Sequence, residues 1–347
     1  MKLKKRKTIV IKKIVYHLPP HEPKFIVSQL SQSMGWGIKQ WNIPKTWCIT
    51  QGDGIKIMVI DTGHPNHRDI GTNAIEGRNF IKGESINDFN GHQTHVTGII
   101  CAKNNEEGMV GVAPKAQCIT VKALDANGNG SFKAVNSALA YAFEVKPDII
   151  SMSLGAPAGD EEQHDLIKSI TSFNIPIICA AGNSGQRGVD YPGAYPEVIT
   201  VGAYNENGDI ANFSAIGEQV DWAAPGVKIY STYLNEQYCL MDGTSQATPY
   251  MVGVVALLLS KHRKQEAETG LNDCKTVAQI KEHLLKYTID KGMVGKDNYF
   301  GFGVVNVEDL IFASKDSDKV IIVPTPVNPH KSFWQKIINW FKKIFKS

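Results

Sequence analysis

The sequence predicts an α/β protein, a doubly wound three-layer sandwich around a mostly parallel central sheet. Two observations carry this. Short runs rich in Ile and Val recur at 55–61, 118–124, 148–154, 175–182 and 198–202, and continuous apolar runs of this length mark strands covered on both faces. Between them lie helical stretches such as 132–145 and 164–173, and that alternation is what right-handed crossovers between parallel strands require. The stretches 245–262 and 276–285 read as further helices, the first long and apolar.

Taken in chain order, residues 1–30 form a basic extension and residues 31–313 the sheet-bearing domain. Residues 314–330 hold Pro324, Pro326 and Pro329 in a linker-like stretch, and residues 331–347 form a distinct last segment. The start of the chain begins like a secretion signal, but Lys12 and Lys13 interrupt its apolar stretch and no small-residue cleavage site follows. A cytoplasmic protein is expected. No apolar run approaches the ~18–20 residues of a spanning helix.

The 347 residues carry 37 Lys+Arg against 34 Asp+Glu, a formal charge of +3 that is unevenly spread. Residues 1–13 hold seven basic groups and 331–347 hold five, with no acid in either, which leaves the body 25 bases against its 34 acids. An acidic body argues against a nucleic-acid binder, because neutralising phosphates needs a basic face on the folded part. Six scattered cysteines without a CxxC pair read as reduced thiols in apolar segments.

In a doubly wound sheet, chemistry collects at the carboxyl ends of the strands. Three polar motifs fall there or at helix starts. Asp61-Thr62-Gly63 follows the strand Ile57-Met58-Val59-Ile60. Gly91-His92-Gln93-Thr94-His95-Val96-Thr97-Gly98 opens a helix, and Gly243-Thr244-Ser245-Gln246-Ala247-Thr248-Pro249 feeds the long apolar one. A serine at a helix start has backbone N–H groups and the positive end of the helix dipole beside it. Nucleophilic catalysis needs a hydroxyl, a base near neutral pKa and a carboxylate that orients the base. Ser245, His92 and Asp61 are those three types.

On these motifs, residues 31–312 resemble the subtilisin-like serine peptidases, or subtilases. The resemblance implies Asp61, His92 and Ser245 as the catalytic triad, His95 as a structural neighbour, and Asn183 as the side-chain donor of the oxyanion hole. It assigns Gly128, Asn129, Gly130 and Ser153, Leu154, Gly155 as two backbone segments between which an extended peptide or protein substrate lies as an added strand. Phe132 and Leu154 fall around an apolar pocket for the fourth residue before the cut. Ala180, Ala181 and Gly182 line the pocket for the residue just before the cut. Asp190, preceding Tyr191-Pro192-Gly193, falls at its floor and implies a preference for Lys or Arg; the alternative is a solvated loop acid neutralised by Arg187. Structural Ca2+ is implied at the side chains of Gln32, Asp69 and Asn105 and the carbonyls of Lys103, Glu107 and Met109. The sequence departs from the usual family pattern at Gln93, Thr97, Gln246 and Tyr250.

The short extension resembles that of intracellular subtilisins, in which such a segment lies across the active site, and Tyr16-His17-Leu18-Pro19-Pro20 is the stretch suited to doing so. At the other end, a helix over 332–346 gathers its eight apolar residues into an arc of about 160° at 100° per residue. Four lysines with Gln335 and Asn339 fill the rest, the pattern of an interfacial helix for an anionic membrane leaflet; the alternative is a helix that docks on its own domain or on a dimer partner. Two further readings share these residues: a maturation peptidase devoted to one precursor, and a non-catalytic adaptor that binds extended peptides. Oligomeric state is not encoded in any of these features.

Overall fold

A computed structural model describes residues 15–19, 23–26 and 31–313. The leader before residue 15, Pro20, the linker 314–330 and the amphipathic segment 331–347 lie outside the described residues. The chain divides into two units, one ending at Phe312 and the other beginning at Ala313.

The first unit begins with β1 (Val15–His17) and β2 (Lys24–Ile26), followed by the short helices α1 (Trp36–Gln40) and α2 (Ile43–Thr46). Then come β3 (Lys56–Asp61), β4 (Ala74–Asn79), α3 (His92–Cys101), β5 (Gln117–Lys122), β6 (Asn129–Ser131), α4 (Phe132–Val145), β7 (Ile149–Met152), α5 (Glu161–Ser172), β8 (Ile177–Ala180) and β9 (Ile199–Tyr204). The remaining elements are β10 (Trp222–Pro225), β11 (Ile229–Thr232), β12 (Tyr238–Met241), α6 (Thr244–Thr269), α7 (Val277–Lys286), β13 (Thr288–Ile289), β14 (Val304–Val305) and α8 (Val307–Phe312).

Seven strands form one sheet in the order β10-β9-β8-β7-β3-β5-β4, and all their pairings are parallel. The period-two alternation of a strand divides β3 between two cores. Ile57 and Val59 pack with residues of α3 and α6, whereas Met58 and Ile60 pack with residues of α4 and α5. The three-layer sandwich expected from the sequence is therefore observed. Local chemistry sets the helix starts: Ser131 accepts from Ala134 N, Asp160 accepts from Gln163 N, and Thr276 forms a capping box with Gln279. Gly270 ends α6 in a left-handed conformation at φ 73°.

The order of the strands reverses between β3 and β7, which opens a crevice beyond their carboxyl ends. Asp61 is the last residue of β3, Ser153 follows β7, and Asn183 lies just past β8. Cys48 departs from the expected pattern: it is exposed, while the other five thiols are buried. No helix among the described residues is long and apolar enough to cross a membrane.

Candidate active site

Asp61 and His92 meet in this crevice. The His92 Nδ1 lies 2.8 and 2.9 Å from the two carboxylate oxygens of the fully buried Asp61, and Thr62 N donates to the same carboxylate at 2.7 Å. Asp88, a residue that no sequence motif marked, holds this arrangement together. It accepts from Thr62 Oγ1, from Gly91 N and from both N and Oγ1 of Thr94. One carboxylate thus caps the N-terminus of α3, where His92 sits, and ties it to the turn after Asp61.

Gln93, one of the departures from the family pattern, belongs to the same scaffold. Its Oε1 accepts from Gly63 N at 2.9 Å and its Nε2 donates to Val59 O at 3.3 Å, which fastens α3 to β3. His95 Nε2 lies 3.1 Å from Ile229 O, its nearest partner on the β11–β12 hairpin. Tyr250 OH donates to Gly37 O. Thr97 Oγ1 and Gln246 Nε2 are buried without a partner, and nothing in the structure explains either substitution.

Ser245 is the second residue of α6 and is 5% exposed. Its Oγ donates to Ser153 O at 3.2 Å, and Ser153 Oγ donates back to Ser245 O at 3.0 Å. Next to it, Thr244 donates twice to Asn183 Oδ1, from N and from Oγ1, each at 2.9 Å. The amide of Asn183 is thereby turned so that its oxygen is committed and its Nδ2 makes no bond to the described protein.

One of the two segments assigned to an extended peptide, 128–130, already has a strand beside it, β1. The strand runs antiparallel to β6, with Val15 opposite Ser131, Tyr16 opposite Gly130 and His17 opposite Asn129, and Leu18 N donates to Gly128 O at 3.0 Å. Tyr16 is fully buried in the apolar cluster that also holds Leu154. Its ring meets Phe132 edge-on at 5.0 Å and its hydroxyl donates to Gln163 Oε1 at 2.6 Å. Leu18 packs on Gly128, where a side chain would come within 3.1 Å of it. Farther along, β2 pairs antiparallel with β12, the strand that leads into Gly243 and Ser245. A hollow of 780 Å³ lies away from these strands, beside Phe143, Asp148, Phe173 and Cys274.

Asp190 stands between the two walls of the predicted pocket. A side chain added at Gly155 would meet its Cβ at 2.9 Å, and one added at Gly182 would meet its Oδ2 at 2.4 Å. Both glycines are thus needed for the close approach, and Gly182 also adopts φ +107°. Burial raises the Asp190 pKa above the usual carboxylate range, and the charge of His17 on β1 pulls it back. Arg187 forms no ion pair with it among the described residues.

The loop after α3 gathers most of the expected calcium donors. Gln32 Nε2 reaches Lys103 O at 2.9 Å and Asn105 Oδ1 and Met109 O at 3.4 Å, while Asn105 Nδ2 donates to Asp69 Oδ1 at 3.0 Å. Asp69 is almost fully buried and burial raises its pKa, although Met109 N and Asn105 donate to it. The residues fit a hard divalent cation: turning the two amides presents oxygens from Gln32 and Asn105 beside the carboxylate and two carbonyls. Glu107 enters through its N–H, which donates to Asn105 Oδ1, and its carbonyl is not among these contacts.

The profile of the subtilase family matches residues 52–303. The chain is 39% identical over 267 residues to an intracellular serine protease of Paenibacillus polymyxa, covering 74% of this chain and 80% of that one. It is 37% identical over 280 residues to subtilisin Savinase of Lederbergia lenta, covering 80% and 98%. Against subtilisin DY of Bacillus licheniformis it is 36% identical over 264 residues, covering 74% and 91%.

Proposed function

Because the chain belongs to the subtilase family, we propose that it is a cytoplasmic serine endopeptidase, held silent by its own N-terminal segment until that segment leaves the groove. Asp61 orients His92 through Nδ1, and the imidazole takes the Oγ proton of Ser245 as that oxygen attacks the scissile carbonyl. The developing oxyanion is received by the backbone N–H of Ser245 at the start of α6 and by Nδ2 of Asn183. His92 then returns the proton to the leaving amine. The observation that carries this reading is the double donation from Thr244 to Asn183 Oδ1. It fixes the amide so that an N–H pair is left for the oxyanion before substrate arrives, the preorganisation on which such donors depend.

Substrate enters as an added strand along β6 and 153–155, the place β1 now takes. Tyr16 supports an aromatic or large apolar residue four before the cut. Asp190, between Gly155 and Gly182, supports Lys or Arg just before it, since a half-buried carboxylate gains most from a charged donor. The proline at 19 has no N–H to offer a receiving strand and holds Leu18 extended. Calcium at Gln32, Asp69, Lys103, Asn105 and Met109 would cross-link the start of the domain to the loop after α3. The basic amphipathic segment 331–347 is the part of the chain suited to an anionic membrane face.

Labelling of Ser245 with a fluorophosphonate tests the reading. The full chain is expected to label slowly and a chain beginning at Ser31 quickly. Equal rates would remove the inhibitory role of residues 1–30, and absence of labelling in both would leave a peptide-binding adaptor.

A further inference from the structure

At the end of α6 remote from Ser245, three side chains that the peptidase reading does not use come together. His262 on α6 is 4% exposed, Cys274 in the following loop is 2% exposed, and His283 lies on α7. One coordinating atom from each lies within 4.8 Å of the others. The Asp273 carboxylate borders the same space, with Oδ1 2.8 Å from His262 Nδ1 and 3.7 Å from His283 Nε2. Asp273 thus meets Nδ1 of the buried His262, while its Nε2 has no hydrogen-bond partner. A buried imidazole nitrogen left unsatisfied is costly, and native interiors pair such groups with protein, water or an ion.

We infer that His262, Cys274 and His283, with Asp273 as the fourth ligand, bind one tetrahedral transition-metal ion of the zinc type. Two imidazoles, a thiolate and a carboxylate are the donor types that Zn2+ takes in four-coordinate sites. At Zn–N and Zn–S distances of about 2.0–2.3 Å, tetrahedral ligand atoms stand roughly 3.4–3.6 Å apart, so the three side chains need to close by about 1 Å. The site is separate in chemistry from the loop around Asp69, whose donors are all oxygens and suit calcium. Release of the thiol proton to solvent on binding makes Cys274 a thiolate ligand, and the ion would join the far part of the helix that begins at Ser245 to α7. Its role is structural, because Ser245 lies 17 residues, nearly five turns, back along α6.

Cobalt(II) titration of the full chain tests the site, with Ser245→Ala to prevent self-digestion and Cys48→Ser to remove the exposed thiol. The expected result is saturation at one equivalent, intense visible bands of tetrahedral cobalt and a near-ultraviolet thiolate-to-cobalt band. One equivalent of Zn2+ should displace them while excess Ca2+ does not. Cys274→Ser should abolish the thiolate band, and His283→Ala, at a partly exposed position that folding tolerates, should weaken binding at least tenfold. The proposal is overturned if no saturable binding occurs, if bound cobalt lacks the thiolate band, or if His283→Ala binds as tightly as the parent chain.

Discussion

The two ends of α6 make opposite uses of buried polar groups. At the N-terminal end Ser245, Thr244, Asn183 and Ser153 satisfy one another through short bonds. Toward the other end, about 26 Å along the axis at 1.5 Å per residue, His262 is buried with Nδ1 against Asp273 and Nε2 unbonded. The first arrangement is complete without any ligand, as a site must be if it is to meet a transition state already organised. The second would be completed by the ion inferred above. On these two readings one helix carries a reaction site and a ligand set, and the rigid rod keeps each from disturbing the other.

Exchanging damage between the two ends tests that independence. Ser245→Ala is expected to lower peptide hydrolysis by a factor on the order of 10⁵ to 10⁶ while leaving cobalt binding unchanged. His262→Ala should do the reverse, removing the metal while kcat/KM stays within about threefold, as expected for sites so far apart. A large activity loss in His262→Ala would show that the ends are coupled.

A smaller effect distinguishes the groove from the rest of the reaction end. In the chain beginning at Ser31, Asp190→Asn should cut the preference for Arg over Phe before the cut by roughly ten- to hundredfold, the loss of one charge-assisted hydrogen bond of about 1.5–3 kcal/mol. The pH dependence has a defined sign. Burial raises the Asp190 pKa, so the carboxylate is ionised and the preference full above that pKa, and it fades as pH falls through it. The loss should begin at a higher pH than for an ordinary carboxylate, and the ratio of Arg to Phe peptide hydrolysis against pH measures it.

The smallest expected effect concerns the two metal chemistries. With no cobalt present, a calcium chelator should lower the melting temperature by several degrees, as removal of a native-state ligand does, and added Ca2+ should restore it. An unchanged melting temperature would remove calcium from the loop around Asp69.

Much of this molecule is legible in its sequence, for physical reasons that also explain what is not. β3, β5, β7, β8 and β9 stand out because a parallel strand buried on both faces is a continuous apolar run. β4, at the sheet edge, reads Ala-Ile-Glu-Gly-Arg-Asn and is half exposed, so it carries no such signal. Asp61, His92 and Ser245 sit in compact motifs whose neighbours are fixed along the chain. Asp88 does its work through contacts to residues up to 26 positions away, and an acid before Phe89-Asn90-Gly91 resembles any turn former. His262, Cys274 and His283 are separated by 12 and 9 residues, spacings that match no ligand motif. Packing of α7 on the end of α6 is what brings them together. The burial of Tyr16 was equally hidden, since its pocket is made by Phe132, Leu154 and Gln163 from three different segments.

Pro249 lies inside α6, four residues after Ser245. Lacking an N–H, it cannot donate to the carbonyl of Ser245, which every other residue type would claim for the helix. That carbonyl is instead held by Ser153 Oγ. The strand end proposed to grip a substrate is therefore clamped to the residue proposed to attack it, through the carbonyl the proline leaves free. A fluctuation that slides one carries the other along, so the distance from the gripping strand to the cutting oxygen works as a gauge block, setting where along a bound chain the cut falls.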